Sequence, residues 1–157
     1  MDDDSPYEIC VSDEEDAHQP IDTEQIKCAV TTTLRQHHCN AARISVVLMG
    51  DARITVLNRQ YLGHDEPTDV LSFDLSESDD GAPLEGEIVL SLETAAREAA
   101  RRRHSTQAEA LLYAVHGTLH LLGHDDQTVE SAATMHAEED RILTQLGVGP
   151  VYGGADE

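Results

Sequence analysis

Two histidines with helical spacing constrain the fold of this chain most strongly. His116 and His120 lie four residues apart in the run HGTLHLLGHDD. On a helix this spacing places both imidazoles on one face, with about 5–6 Å between their Cβ atoms, so two ring nitrogens can bind the same ion. Leu119, Leu121 and Leu122 are then expected to face the core and to hold the helix in place.

A glycine three residues after His120 predicts a sharp end to this helix, because Gly123 can adopt a positive φ. The chain then turns back, and Asp126, ten residues after His116, can reach the same ion. Two histidines, one aspartate and an open fourth position are typical of a catalytic zinc site. We therefore predict one Zn²⁺ ion held by His116, His120 and Asp126, with His124 as the rival third ligand.

The same segment is similar to the metzincin peptidase motif HExxHxxGxxH, with two departures. The glutamate that serves as general base in those peptidases is replaced by Gly117, and the third histidine by Asp126. Because the residue that activates water is missing, a metallopeptidase is the least favoured function for this pattern.

Acidic residues are concentrated at the start of the chain. The first 24 residues hold ten of the 31 acidic residues and no lysine or arginine. We expect residues 1–20 to be an acidic, largely disordered segment, residues 21–148 to form one folded domain, and residues 149–157 to be a disordered tail. A net charge of −21 argues against a general nucleic-acid coat, because phosphate binding needs lysine and arginine, but it leaves room for a local basic groove.

Four of the ten basic residues form the only basic cluster in the sequence, made of Arg97, Arg101, Arg102 and Arg103. Two interpretations stay open for it. The cluster contacts a phosphate near the cleft, or it is a solvated helix end where cations favourably meet the C-terminal dipole.

The lack of a recognisable targeting signal and the pattern of cysteines lead us to expect a cytoplasmic protein. The start MDDDSPYE lacks the basic and apolar stretches of a secretory signal, and no apolar run is long enough for a transmembrane helix. Cys10, Cys28 and Cys39 are odd in number and form no CxxC pair, so we expect buried, reduced thiols.

Hydrophobic periodicity predicts an α+β layer fold with four strands, mostly in the first two thirds of the chain, and helices dominating its end. Tyr7, Ile9 and Val11 alternate with polar residues, as in an edge strand. The other predicted strands are residues 43–49, 70–75 and 86–92. The predicted helices run from a cap at Asp22 to about residue 38, from a cap at Asp51 to about residue 62, and over 94–103, 106–122 and 129–146.

Five blocks, in order, resemble the YbeY family of bacterial endoribonucleases, also called rRNA maturation factors. They are Leu57-Asn58 with Tyr61, the run PTDVLSF from Pro67 to Phe73, GEI from Gly86, HGxLHLLG from His116, and a final set of Met135, Glu139, Ile142, Leu143, Leu146 and Gly147. Together they span the chain from about residue 43 to residue 147.

This resemblance implies a single domain with a small mixed sheet packed against helices, and one zinc ion in a cleft. It implies hydrolysis of single-stranded RNA, with roles in 16S rRNA 3′-end maturation and ribosome quality control. The expected partners are rRNA and the ribosome or its proteins, with no membrane and no DNA. The family's metal ligands correspond to His116 and His120, and its third ligand, usually a histidine, to Asp126.

Three residues of these blocks are expected to line the substrate cleft: Asn58, Asp69 and Ser72. For Asp69 and Ser72 the alternative is to cap the turn before the strand. The family usually has an arginine after the tyrosine of the first block, and Leu62 stands there. That departure supports a second hypothesis, in which the chain is a non-catalytic ribosome-assembly factor with a structural metal. No general base can be named from the residues.

Overall fold

Apolar and β-branched runs form the mixed sheet predicted for this chain. In a computed structural model, which describes residues 6–14, 20–64, 68–76, 83–124 and 127–149, these runs are four hydrogen-bonded strands in the order β1-β2-β4-β3. The strands are β1 (Tyr7–Asp13), β2 (Ala42–Met49), β3 (Val70–Asp74) and β4 (Leu84–Ser91). β2 is parallel to β1 and to β4, whereas β3 is antiparallel to β4.

The predicted edge strand at Tyr7, Ile9 and Val11 is confirmed as β1. This strand lies inside the segment 1–20, so the folded domain begins before residue 21. The remainder of that acidic segment, at residues 1–5 and 15–19, lies outside the described residues, as do Asp126 and the tail from residue 150.

Five helices pack on the sheet within the described part of the chain. They are α1 (Thr23–Gln36), α2 (Asp51–Leu62), α3 (Leu92–Arg102), α4 (Thr106–Leu121) and α5 (Val129–Gln145). Asp22 caps α1 as predicted, since its carboxylate accepts from the backbone N–H of Glu24 and Gln25. None of these helices is long and apolar enough to cross a bilayer.

α4 is the central helix of the fold. It contacts α1, α3, α5, β3 and β4, and nearly all of its residues from Ala108 onward are buried. Leu119 is fully buried and Leu121 almost so, which confirms their predicted core positions, and Leu122 packs against the same core. A helix that is apolar on nearly all sides belongs inside a domain.

Two glycines let α4 approach the sheet closely. A Cβ atom built on Gly86 of β4 lies 2.6 Å from Cδ1 of Leu121. A Cβ atom built on Gly117 of α4 lies 2.8 Å from Cγ2 of Ile88 and 3.0 Å from Oγ of Ser72. These distances are shorter than van der Waals contacts, so the packing of α4 on β3 and β4 depends on both positions lacking a side chain.

The sequence interpretation of Asp51 as a helix cap is wrong. Gly50 is the N-cap of α2, and Asp51 is the first helical residue. Its carboxylate instead accepts from Ser91 Oγ at 2.6 Å, Thr94 Oγ1 at 2.7 Å and Arg97 Nη1 at 2.6 Å. Asp51 therefore ties the start of α2 to the junction between β4 and α3.

These contacts determine how Asp51 titrates. Burial alone favours the neutral acid, but the hydrogen bonds from Ser91, Arg97 and Thr94 outweigh it, so the pKa of Asp51 lies below its ordinary value. A depressed carboxylate pKa contributes stability above the pKa of the unfolded chain, and this contribution disappears as the pH falls through the folded pKa.

The expectation that the three cysteines are buried is wrong. Cys10 and Cys28 are exposed and Cys39 is partly buried, and all three are free thiols. Cys10 lies on the edge strand β1 and Cys28 on α1, where the helix turns away from the core.

We expect Gly117→Ala to destabilise the fold by about 1–3 kcal/mol, because the new methyl group overpacks the contact with Ile88. Urea unfolding measures this loss. In an Ile88→Ala background the same substitution should cost less, because the clashing methyl group is gone. Equal costs in the two backgrounds would show that the close approach is not the cause.

We expect Asp51→Ala to lower the free energy of unfolding at pH 7 by about 2 kcal/mol, because it removes three hydrogen bonds to an ionised carboxylate, one of them from a guanidinium group. Urea titrations at pH 7 and below pH 4 test the sign of the pKa shift. The difference between variant and wild type should shrink progressively as the pH falls below the ordinary carboxylate pKa and through the lower pKa of folded Asp51. A difference that grows on acidification contradicts this assignment.

Candidate metal centre

The histidine pair lies on the one open stripe of α4. Between Ala108 and Leu121, only His116 and His120 are not buried. Their Nε2 atoms are 3.1 Å apart, and the ring planes are inclined at 78°. The helical spacing therefore brings both ring nitrogens to one point at the surface, as the sequence predicts.

The separation of the two nitrogens fits a shared metal ion. Two ligands bound to zinc at about 2.0–2.1 Å in tetrahedral geometry lie roughly 3.3 Å from each other. The observed 3.1 Å between the Nε2 atoms of His116 and His120 is close to that value. The donor set is also suitable, because neutral imidazole is a common zinc ligand.

A buried glutamate orients the first histidine. Glu139 of α5 is 1% exposed, and its Oε2 forms a short hydrogen bond with Nδ1 of His116. This contact leaves Nε2 of His116 directed toward His120. A carboxylate on the far nitrogen is the usual outer partner of a metal-binding histidine, where it fixes the ring and raises its basicity.

Sequence reasoning did not assign this role to Glu139, although a signal was present. Met135, Ile142 and Leu143 form the apolar stripe of α5, and Glu139 lies in its middle at helical spacing. A charged residue in a buried stripe needs a partner. That partner is His116, 23 residues earlier in the chain.

The described residues contain the histidine pair but no complete set of three metal ligands. No group of three histidine, cysteine, aspartate or glutamate side chains suitable for a metal occurs among them, and Asp126 lies outside them. Gly123 has a φ of 100°, so the helix ends in the predicted left-handed turn. His124 follows this turn, and its ring packs edge-on against His37, with 5.0 Å between ring centroids.

A cavity of about 500 Å³ opens beside the histidine pair. Asp69 and Ser72, two of the three predicted cleft residues, line it together with His116 and His120. Each also has a local structural contact, so neither proposed role excludes the other. Ser72 Oγ donates to the carbonyl oxygen of Gly117 at 3.1 Å, and Asp69 Oδ1 accepts from the N–H of Val70 at 2.8 Å.

The third predicted cleft residue, Asn58, is 4% exposed on α2. Its backbone carbonyl oxygen accepts hydrogen bonds from the backbone N–H groups of Gly63 and His64 at the end of that helix. A part in substrate binding stays a prediction for Asn58.

Leu62 lies on the wall of this cavity, at the position where the resemblance leads one to expect arginine. Its side chain is 55% exposed. Phe73 is partly buried and also lines the cavity. Tyr61 packs edge-to-face on Phe73, with ring centroids 5.3 Å apart. This wall of the cavity is therefore apolar and aromatic.

Arginines of the basic cluster form ion pairs inside the chain. Arg97 binds Asp51, and Arg101 binds Glu98 at 2.6 Å. These contacts hold the pKa of Glu98 below its ordinary value, chiefly through the hydrogen bond from Arg101. Arg103 ends α3 in a left-handed conformation, with a φ of 65°. The cluster thus includes the helix end expected in the second interpretation, and a phosphate contact stays untested.

Comparison with known proteins shows which protein family this chain is similar to. The chain matches the sequence model of one protein family, described as Endoribonuclease YbeY, over residues 11–147. Proteins described as Endoribonuclease YbeY include a relative from Anaeromyxobacter sp. that is 46% identical over 107 residues, which are 68% of this chain and 56% of the relative. A relative from Chloroherpeton thalassium is 37% identical over 128 residues, covering 82% of this chain and 89% of the relative.

A solved structure supports the fold. The solution structure of TM1509 from Thermotoga maritima superposes with a TM-score of 0.59 at 22% sequence identity, and the match covers 92% of this chain and 95% of that one.

The match to the family spans β2, β3, β4 and all five helices, including the histidine pair on α4 and Glu139 on α5. The chain therefore belongs to the Endoribonuclease YbeY family.

Proposed function

We propose that this protein is a cytoplasmic, zinc-dependent endoribonuclease that cuts single-stranded RNA in 16S rRNA 3′-end maturation and ribosome quality control. Membership of an endoribonuclease family supports the class of reaction. The observation that carries the metal dependence is the pair of Nε2 atoms 3.1 Å apart at a cavity, with His116 oriented by buried Glu139.

In this proposal His116 and His120 hold the ion from one side, and Asp126 completes the ligand set. A bound zinc ion supplies a Lewis acid for a phosphate oxygen and lowers the pKa of water. Glu139 keeps the His116 ring in one tautomer and one orientation. Asp69 and Ser72 border the space in which the RNA backbone lies. No described side chain is assigned as the general base.

The packing of Gly117 argues against a peptidase. A metzincin needs a glutamate at this position, directed at water on the metal. In this fold a Cβ atom at Gly117 points at Ile88 and Ser72 of the sheet. A glutamate there would clash with these side chains at its first side-chain carbon, so the fold has no room for it.

A ribosome-assembly factor with a structural metal is the second candidate. The apolar side chain of Leu62 on the cavity wall favours it, because an arginine there can bind phosphate and leucine cannot. The two candidates differ in what zinc does. A structural metal contributes to folding, so its removal lowers the melting temperature strongly, whereas a catalytic metal bound to a preformed core contributes little.

We expect purified protein to cut single-stranded RNA that spans the 3′ end of 16S rRNA, and His116→Ala or His120→Ala to lose more than about 100-fold in rate. Removing an outer-shell group alone costs about 10–100-fold, and these variants remove a ligand. Elemental analysis should find one zinc ion per wild-type chain and none in His120→Ala.

The matched control is His38→Asn, which removes an exposed imidazole and keeps a residue tolerant of the left-handed backbone at this position. It should retain both zinc and cleavage. Cleavage that survives in His116→Ala would indicate a contaminating nuclease. A wild-type protein that binds zinc, melts far lower without it and cuts no RNA supports the assembly factor instead.

We expect Glu139→Gln to weaken zinc binding by about 10–100-fold, because the amide is a poorer partner for Nδ1 of His116 than the carboxylate. Competition with a zinc-selective chelator measures the affinity without any cleavage. Glu138→Gln is the matched control. It lies one residue earlier on α5, where Glu138 binds His37 and Arg141, and it should leave the zinc affinity unchanged. Equal effects of the two variants would exclude an orienting role for Glu139.

A further inference from the structure

A second cavity, of about 470 Å³, adjoins the histidine pair on its other side. It lies among α3, α4 and α5, and Arg102, Glu109 and Tyr113 line it. His116 and Asp69 border this cavity and the first one. The two cavities therefore meet at His116, and a chain-like substrate can occupy both.

Buried polar atoms of this cavity lack well-formed hydrogen bonds. Glu109 is 1% exposed and Tyr113 is 3% exposed. One carboxylate oxygen of Glu109 binds Nε2 of His104. The Tyr113 hydroxyl interacts with the Glu109 side chain, but neither this hydroxyl nor Oε2 of Glu109 makes a hydrogen bond of good geometry among the described residues. Buried polar groups normally have hydrogen-bond partners. Two such atoms without good partners in one cavity wall therefore point to a ligand that supplies the missing hydrogen bonds.

The two groups present opposite hydrogen-bonding functions. Burial, together with the nearby charge of Glu109, raises the pKa of Tyr113 far above its ordinary value, so the phenol keeps its proton and can donate. The Oε2 atom of Glu109 can only accept. Nη1 of Arg102 lies 4.0 Å from this oxygen, which exceeds a hydrogen-bond length, and adds a guanidinium donor to the same region.

Charge selects the kind of ligand. Arg97 and Arg102 face four carboxylates in the cavity wall, those of Asp69, Glu98, Glu109 and Glu139. This excess of negative charge disfavours a phosphate, and the two guanidinium groups disfavour a metal cation. A neutral group that carries both donors and acceptors matches the wall best.

We propose that this cavity binds one base of the RNA, beside the histidine pair, through Glu109, Tyr113 and Arg102. The inference rests on the proposed function, because it takes single-stranded RNA as the substrate. The cavity volume falls within the usual range for ligand sites, about 300–1,000 Å³. Single-stranded RNA is generally recognised through splayed-out bases whose edges are hydrogen-bonded.

The acceptor at the cavity wall also predicts which bases fit. A carboxylate oxygen pairs well with an exocyclic amino group, as in glutamate contacts to N4 of cytosine. Cytosine, adenine and guanine carry such a group next to an acceptor that Arg102 can contact. Uracil has one ring N–H between two carbonyl oxygens, which repel the Glu109 carboxylate. The cavity therefore favours a base with an amino group over uracil.

Binding of short RNA to the metal-free full-length chain tests this inference without cleavage. The probes are a fluorescent octamer of uridine and the same octamer with one internal cytidine, titrated in EDTA. The RNA octamer can shift along the protein until its cytidine lies in the cavity. We therefore expect the cytidine-containing octamer to bind about tenfold more tightly than the all-uridine octamer. Tyr113→Phe and Glu109→Gln should reduce this ratio toward one and change the affinity for oligouridine little.

Tyr7→Phe is the matched control. It removes a tyrosine hydroxyl that donates to the Cys39 carbonyl oxygen beside β1, and it should keep the tenfold ratio. Tyr113→Phe preserves shape, so it keeps the test valid if Glu109→Gln fails to fold. Equal affinity for the two octamers in the wild type overturns the base site, and so does a ratio that Tyr113→Phe leaves unchanged, as expected if the cavity holds only water.

The outcome is separable from that of the proposed function. If the wild type cuts no RNA but shows the cytidine preference and its loss in Tyr113→Phe, the base site stands and the nuclease proposal falls. If the wild type cuts RNA and shows no such preference, the nuclease proposal stands and the base site falls.

Discussion

The close contact between α4 and the sheet determines where the histidine pair can lie. Gly86 and Gly117 remove the side chains that would hold the helix away from β3 and β4. Because α4 packs this closely on the sheet, all residues from Ala108 to Leu121 are buried except His116 and His120, which are partly exposed. The histidine pair therefore lies at a gap in an otherwise buried helix, and its geometry is held by the core packing around it.

The histidine site was largely predictable from sequence, because its two members share one helix and local spacing decides their geometry. The same holds for the glycine turn at Gly123 and for the strands. The contacts of Asp51 and Glu139 were not predictable in this way, because their partners lie about 40 and 23 residues away in the chain. For Asp51 the local rule was misleading, since a carboxylate at a helix start usually caps it, and here Ser91, Thr94 and Arg97 offered stronger hydrogen bonds.

The proposed function requires a very acidic chain to bind RNA, which charge alone does not explain. The net charge is −21, and two arginines of the basic cluster, Arg97 and Arg101, are engaged by Asp51 and Glu98. For the proposed function we therefore expect much of the affinity for RNA to come from the proposed metal ion and from the bases. The apolar wall formed by Leu62 and Phe73 suits the faces of bases, which stack without regard to sequence.

His116 is the point at which these contributions meet. Its Nδ1 atom is held by Glu139 of α5, and its Nε2 atom faces His120. Because its ring borders both cavities, an RNA strand that occupies both must pass the metal side of His116. α5 contributes Glu139 to the orientation of the ring and, through His136 and Glu139, to the wall of the second cavity. A displacement of α5 therefore alters the His116 ring and the second cavity together. In the proposed function, one helix thus aligns both the metal ion and the neighbouring base.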